Sequence, residues 1–217
     1  MIPIGNDSRR VQFPLATYLL IAMNVIMFVL QMVNGDEFTL QYALVPANIG
    51  HGQALITVLT SMFMHAGFVH IIGNMVYLWV FGPALEDVMG SIPFAIFYLL
   101  CGVAATVLQI IVDPTSTVPN LGASGAIAGV LGGYILLFPH DSIRVAGMSG
   151  AVVSSRVSAL VLIGFWFILQ LVSGFGSLTD ISQGGVAYFA HIGGFIAGIA
   201  MVKLFARRPP NNIAEIV

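Results

Sequence analysis

The sequence predicts an all-α membrane protein, a single domain over residues 1–217 that crosses the bilayer six times with both termini in the cytoplasm. Three observations lead there. Hydrophobic residues make up 58% of the chain and charged residues only 7%. Together with a mean hydropathy of +0.98, this rules out a water-facing coat around a globular core. The apolar residues fall into long uncharged runs, close to the roughly 20 residues that one helical crossing needs. The seven Lys and Arg residues lie before the first run, between the fourth and the fifth, and at the end of the sixth.

Leu15–Val33 carries no charge, follows Arg9, Arg10 and Pro14, and stops at the polar turn Asn34-Gly35-Asp36. No small-x-small cleavage site follows it and more apolar segments do, so it reads as a retained signal anchor and first span. Pro46, Gly50 and Gly52 interrupt the next uncharged stretch. Residues 38–60 therefore read as a long, partly interfacial loop and Met62–Leu85 as span two. Ile92–Val112 forms span three, closed by Asp113-Pro114, and Leu121–Phe138 span four, closed by Pro139-His140-Asp141. Val157–Val172 is the fifth span and the shortest, and Val186–Phe205 the sixth. Short cytoplasmic tails, 1–14 and 206–217, complete the chain.

The charges test this topology. With the N-terminus inside, Arg9, Arg10, Arg144, Arg156, Lys203, Arg207 and Arg208 all fall on the cytoplasmic side. Asp36, Glu37, Asp113 and Asp180 lie in outer loops that hold no Lys or Arg. A five-span arrangement would put one positive cluster outside. The lone Cys101 sits in an apolar run, reads as a packed core thiol, and leaves neither a disulfide framework nor a multi-cysteine metal site.

Polar side chains at membrane depth are costly and mark functional candidates. Span two offers His65, His70 and Asn74, span four Ser124, and span six His191. These three spans run in the same direction and carry the residues early, so the five groups share one depth near the outer face. His191 would lie roughly 8 Å below the start of its helix. Ser124, in Gly122-Ala123-Ser124-Gly125, opens a helix, where free N–H groups and the helix dipole favour a developing oxyanion. Gly194 and Gly198 form a GxxxG face that can pack against the glycines after Ser124, bringing His191 to the hydroxyl. A neutral imidazole there can act as general base and then acid. His70 and Asn74, four residues apart, share a helix face and can donate to an oxyanion. Each motif also has a plainer reading: the small residues as packing surface, the histidines and Asn74 as helix–helix hydrogen bonds. Asn24 has no partner in this cluster and reads as structural, while His51 and His140 lie in loops.

Together, His70-x-x-x-Asn74, Gly122-x-Ser124-Gly125 and Ala190-His191-x-x-Gly194-x-x-x-Gly198, in that order over spans two, four and six, resemble the rhomboid intramembrane serine proteases. The resemblance covers about Leu15 to Phe205. It implies a rhomboid-like six-helix bundle, a Ser124–His191 dyad with no acidic third member, and an oxyanion site made by Asn74, His70 and the Ser124 backbone N–H. Gly122, Gly125, Gly194 and Gly198 would support that site, and His65 and Glu86, with Gly90 completing Glu-x-x-x-Gly, match positions usually regarded as structural. Two departures stand out. Ile56 and Thr57 occupy the places where many members carry a Trp-Arg pair in the first loop, and Ala128 replaces an aromatic that in some members stacks on the histidine.

The implied activity is hydrolysis of peptide bonds in or near transmembrane segments of membrane-anchored proteins. Expected partners are those substrates and the lipid bilayer. No nucleic acid, cofactor or metal is expected, and the oligomeric state is open. The expected location is a bacterial inner (plasma) membrane, with the site opening toward the outer face. His-Glu-x-x-His is absent, as is an Asp within any predicted span, which removes zinc and aspartyl intramembrane proteases. A histidine-rich metal- or haem-binding bundle would leave Ser124 unexplained. A small-solute transporter predicts polar residues along the whole depth, and a non-catalytic relative that binds membrane clients would have no use for both Ser124 and His191. Span five, with Phe165, Trp166 and Phe167, is a candidate gate against span two; aromatics facing lipid are the alternative.

Overall fold

A backbone inside hydrocarbon satisfies its N–H and C=O groups most simply as helix, so the uncharged runs become helices. A computed structural model describes residues 2–8, 11–147, 154–177 and 187–207. In chain order the elements are β1 (Ile2–Asn6), α1 (Leu15–Tyr42), α2 (Pro46–Gly50), α3 (Thr57–Thr60), a 3-10 turn (Ser61–Phe63), α4 (Phe68–Met89), α5 (Ser91–Val112), α6 (Ser124–Leu137), β2 (Ser142–Ala146), β3 (Ser154–Ser158), α7 (Ala159–Ser177) and α8 (Tyr188–Phe205). Of these, α1, α4, α5, α7 and α8 are long and apolar enough to cross a membrane, and α6 is a shorter apolar helix.

The boundaries depart from the sequence reading in physically explicable ways. α1 does not stop at Asn34-Gly35-Asp36 but bends there, at Gly35 (φ 78°, ψ −166°), a conformation open to glycine. α4 begins at Phe68 rather than Met62 because Ser61–Phe63 is wound as the 3-10 turn. It runs on through Glu86 and Asp87 to Met89. The shortest span is the fourth, not the fifth: α6 has 14 residues against 19 in α7. Fourteen residues rise about 21 Å, less than a hydrocarbon core of roughly 30 Å. α6 tolerates this because it is the interior helix, with every residue from Gly125 to Tyr134 buried.

The helical bundle carries one small sheet that the sequence reading did not include. An antiparallel sheet in the order β1-β2-β3 joins the N-terminal segment to the connection between α6 and α7, with Arg144 opposite Arg156 and Gly5 opposite Arg144. Arg156 forms an ion pair with Asp7 at 3.2 Å. Residues 2–6, within the N-terminal tail of the sequence reading, are thus a strand. Arg9, Arg10, Arg208 and Asp180 lie outside the described residues.

Polar contacts gather both described ends of the chain at one end of the bundle. The Val11 and Gln12 N–H groups donate to Asp87 Oδ1 at 3.0 and 2.8 Å. The Arg207 N–H donates to the Val88 carbonyl at 2.9 Å. Beside these contacts, Glu86 accepts from the N–H groups of Ala16 and Thr17, each at 2.8 Å, from Thr17 Oγ1 at 2.7 Å and from Ser91 Oγ at 2.6 Å. One buried carboxylate therefore caps the N-terminus of α1, where orphan donors and the helix dipole both favour negative charge. Gly90 turns the chain into α5 at φ 86° while its N–H donates to the Glu86 carbonyl at 2.7 Å.

Glu86→Ala strands these donors away from water and is expected to cost about 3 kcal/mol of stability. Thr17→Val, which removes one hydrogen bond, should cost about 1 kcal/mol. Thermal unfolding in detergent measures both; an unchanged midpoint for Glu86→Ala would contradict the capping role.

Candidate active site

The polar cluster is assembled by a turn, a helix start and a glycine contact. Before α6 the chain is tied down at two points: Leu44 and Asn120 exchange backbone hydrogen bonds at 2.9 and 2.7 Å, and the Gly122 N–H donates to the Ser61 carbonyl at 2.9 Å. Gly122 sits at φ +133°, and a Cβ there would lie 2.8 Å from the His70 ring. Only glycine fits that position. The chain then enters α6 with Ser124 as its first residue, so Ser124 lies among N–H groups that have no acceptor within the helix.

α8 reaches this serine because glycine lets two backbones touch. A Cβ at Gly194 would collide with the Gly125 carbonyl, and one at Gly198 with the Gly129 carbonyl. The Cα hydrogens in those places point at the carbonyl oxygens, the arrangement of Cα–H···O contacts between membrane helices. On its other side, Gly125 leaves no room for a Cβ against Ala105 of α5. His191, in the first turn of α8, is brought to Ser124 with Nε2 2.8 Å from Oγ. Its Nδ1 lies 2.7 Å from Gln170 Oε1 on α7. A side-chain carbonyl oxygen can only accept, so Nδ1 carries the ring proton and the Nε2 lone pair faces the Ser124 hydroxyl.

His70 and Asn74 rise on one face of α4 beside this pair. The Ala66 N–H donates to His70 Nδ1 at 3.3 Å, which places that ring's proton on Nε2, the nitrogen turned toward Gly122. Asn74 is buried and its Nδ2 donor has no hydrogen-bond partner among the described residues. Both donors line a cavity of about 480 Å³ together with Ser124, His191 and Trp166. The cavity is bounded by α4 on one side and by Trp166 of α7 on the other. All the sequence-predicted polar residues except His65 thus meet in one chamber. His65 lies behind it, its ring in edge contact with His70 at 5.1 Å, while its backbone is clasped by Gln31, whose amide donates to the His65 carbonyl at 3.0 Å and accepts its N–H at 2.9 Å.

The two departures from the rhomboid pattern have structural answers. Ala128 is fully buried, and the His191 ring is flanked instead by Trp166, 5.9 Å away at an interplanar angle of 41°. In the first loop, Ile56 is exposed and Thr57 buried. The loop is held by Thr60 Oγ1 on the Tyr42 carbonyl at 3.0 Å, by the Gln31 clasp, and by the Ala47 N–H on the Ser116 carbonyl at 3.1 Å. Asn24 donates along its own helix to Leu20 at 2.8 Å, and His51 and His140 are exposed. Among the described residues no group of three or more His, Cys, Asp or Glu is placed to hold a metal ion.

Gln170 is the residue that the sequence candidates lack. It was legible in principle, as a polar side chain inside span five, and Gln31 and Gln109 were legible in the same way. The Ala190 N–H, next to His191, donates to Gln109 Oε1 at 3.2 Å.

The Rhomboid domain family profile matches residues 52–208. The chain is 30% identical over 193 residues to rhomboid protease GluP of Bacillus subtilis, covering 87% of this chain and 35% of that protein. It is 30% identical over 190 residues to the mitochondrial rhomboid protein 1 of Saccharomyces cerevisiae, covering 84% and 51%, and 28% identical over 157 residues to the mitochondrial RHOMBOID-like protein 6 of Arabidopsis thaliana, covering 72% and 46%. The chain spans about a third to a half of the length of these relatives. Two of their names place them in mitochondria, so membership alone does not select a bacterial membrane. With the match over most of its length and these relatives, the chain belongs to the rhomboid family of multi-pass membrane proteins.

Proposed function

We propose that the protein is an intramembrane serine endopeptidase that cuts membrane-anchored proteins in or near their transmembrane segments, with Ser124 as nucleophile and His191 as general base and acid. The observation that carries this reading is the 2.8 Å contact between Ser124 Oγ and His191 Nε2, with the ring proton held on the far nitrogen. As Oγ attacks the peptide carbonyl carbon, Nε2 takes its proton. The carbonyl oxygen becomes an oxyanion, for which Asn74 Nδ2, His70 Nε2 and the Ser124 N–H are the available donors. The imidazolium returns its proton to the leaving amine as the C–N bond breaks, which leaves an acyl-enzyme. Water, deprotonated by the same nitrogen, then releases the acid product and restores the serine.

Access follows from the chamber's walls. A substrate helix in the bilayer reaches Ser124 through the gap between α4 and α7, where Trp166 stands opposite α4. Phe165, by contrast, is exposed and faces outward, and Phe167 stacks on Phe195 of α8 at 4.1 Å. The chamber lies at the end of the bundle remote from Arg144, Arg156 and Arg207. By the distribution of basic residues that end faces away from the cytoplasm, and we assign the membrane as a bacterial plasma membrane with the site toward its outer face.

Cleavage of a labelled transmembrane substrate in detergent tests the reading. Ser124→Ala and His191→Ala should each abolish cleavage while thermal unfolding is retained; activity at the wild-type level in either variant would sink the dyad. Asn74→Ala should lower kcat by about 100-fold through loss of one oxyanion donor. A disulfide engineered between α4 and α7 across the chamber mouth should block cleavage and reduction should restore it; full activity while cross-linked would contradict entry by that route.

A further inference from the structure

We propose that Gln170 is a positioning residue whose side-chain carbonyl holds His191 as the Nδ1–H tautomer and so keeps the Nε2 lone pair on Ser124. The inference rests on the reading of Ser124 and His191 as the reacting pair, and it adds a third, uncharged member on a different helix.

A neutral imidazole has two tautomers, and the hydrogen bond made by one nitrogen selects the state of the other. With its proton on Nε2 the ring would donate toward Ser124 Oγ and could not accept the hydroxyl proton. Among the described residues, the ring's side-chain hydrogen-bond partners are Ser124 on one nitrogen and Gln170 on the other. Gln170 Oε1, at 2.7 Å from Nδ1, is therefore the acceptor that excludes the inactive tautomer. An amide suits this place better than a carboxylate would. A buried carboxylate beside a neutral ring would bear a large desolvation cost without a counter-charge, whereas an amide oxygen supplies the acceptor at the smaller cost of a polar group.

The placement of Gln170 follows from a helical face. Ile163, Trp166, Phe167 and Gln170 recur at i, i+3, i+4 and i+7 along α7 and so line one side of it. Ile163 is buried, Trp166 lies against His191 and Phe167 stacks on Phe195. These contacts fix the rotation of α7 about its axis and with it the direction of the Gln170 amide. Trp166 lies one turn before Gln170 and flanks the same imidazole.

The test uses the full chain in lipid bilayers with 15N-labelled histidine. Solid-state NMR reads the protonation of the His191 ring nitrogens, assigned by their loss in His191→Ala, and cleavage of a transmembrane substrate is followed in parallel. Wild type should show a protonated Nδ1 and a bare Nε2. Gln170→Met, close in volume but without the carbonyl, should shift the proton toward Nε2 and lower kcat about tenfold, with KM within about twofold and the unfolding midpoint retained. Gln170→Glu, whose carboxyl burial holds neutral so that its carbonyl oxygen can still accept from Nδ1–H, should restore both the Nδ1–H signal and most of kcat. An unchanged ring spectrum in Gln170→Met overturns the proposal, as does a Gln170→Glu variant as impaired as Gln170→Met. If wild type cleaves nothing yet its ring spectrum responds to Gln170→Met as described, the protease reading falls and the control of the tautomer by Gln170 stands.

Discussion

The contact on which the rest of the structure depends is the backbone-to-backbone approach of α6 and α8. Lipid chains are as apolar as leucine, so helices in a bilayer gain little from burying large side chains against each other and most from close packing. Gly125 with Gly194 and Gly129 with Gly198 provide it. The hydroxyl and the imidazole are then neighbours because their helices cannot be anywhere else. A methyl group at either α8 glycine would have to move a carbonyl, and a shift of one ångström between the helices would open the 2.8 Å contact between Ser124 and His191.

That contact also explains why α6 can be short. A 14-residue helix wrapped by α4, α5 and α8 and buried from Gly125 to Tyr134 can have its N-terminus inside the bundle, below the level at which a spanning helix would end. The chain before it, tied at Leu44–Asn120 and Gly122–Ser61, delivers Ser124 into a chamber instead of a surface. The opposite end is built for rigidity: Glu86 and Asp87 gather the start of α1 and the N-terminal segment around the α4–α5 turn. α7 differs from the others. Only 17% of its apolar window is buried, and its inward face is the short row that includes Trp166, Phe167 and Gln170. The helix beside the chamber mouth is therefore the one with least to hold it.

Much of this was legible in the sequence, because hydrocarbon leaves few options. Long uncharged runs that span the bilayer fold as helices, so the shared depth of Ser124, His70, Asn74 and His191 followed from span order and direction, and the GxxxG face supplied the approach of His191 to Ser124. The errors fall where water or local geometry decides. Asn34-Gly35-Asp36 looked like an end because glycine and asparagine end helices, yet Gly35 only bends one. β2 and β3 are five residues each, too short beside long apolar runs to announce a sheet, and β1 acquires its strand only by pairing with β2. Gln170 escaped because glutamine titrates nothing and attacks nothing. Its part is visible only once α7 is rotated against His191, and that rotation is set by Ile163, Trp166 and Phe167 in three dimensions.

The most direct test of the account is where an active-site-directed fluorophosphonate attaches. Peptide mass spectrometry of the treated full chain should locate a single phosphonyl adduct on Ser124, and His191→Ala should carry none. An adduct at another residue, or one that forms on Ser124 equally well without His191, would contradict the claim that this serine is made reactive by the histidine that α8 brings to it.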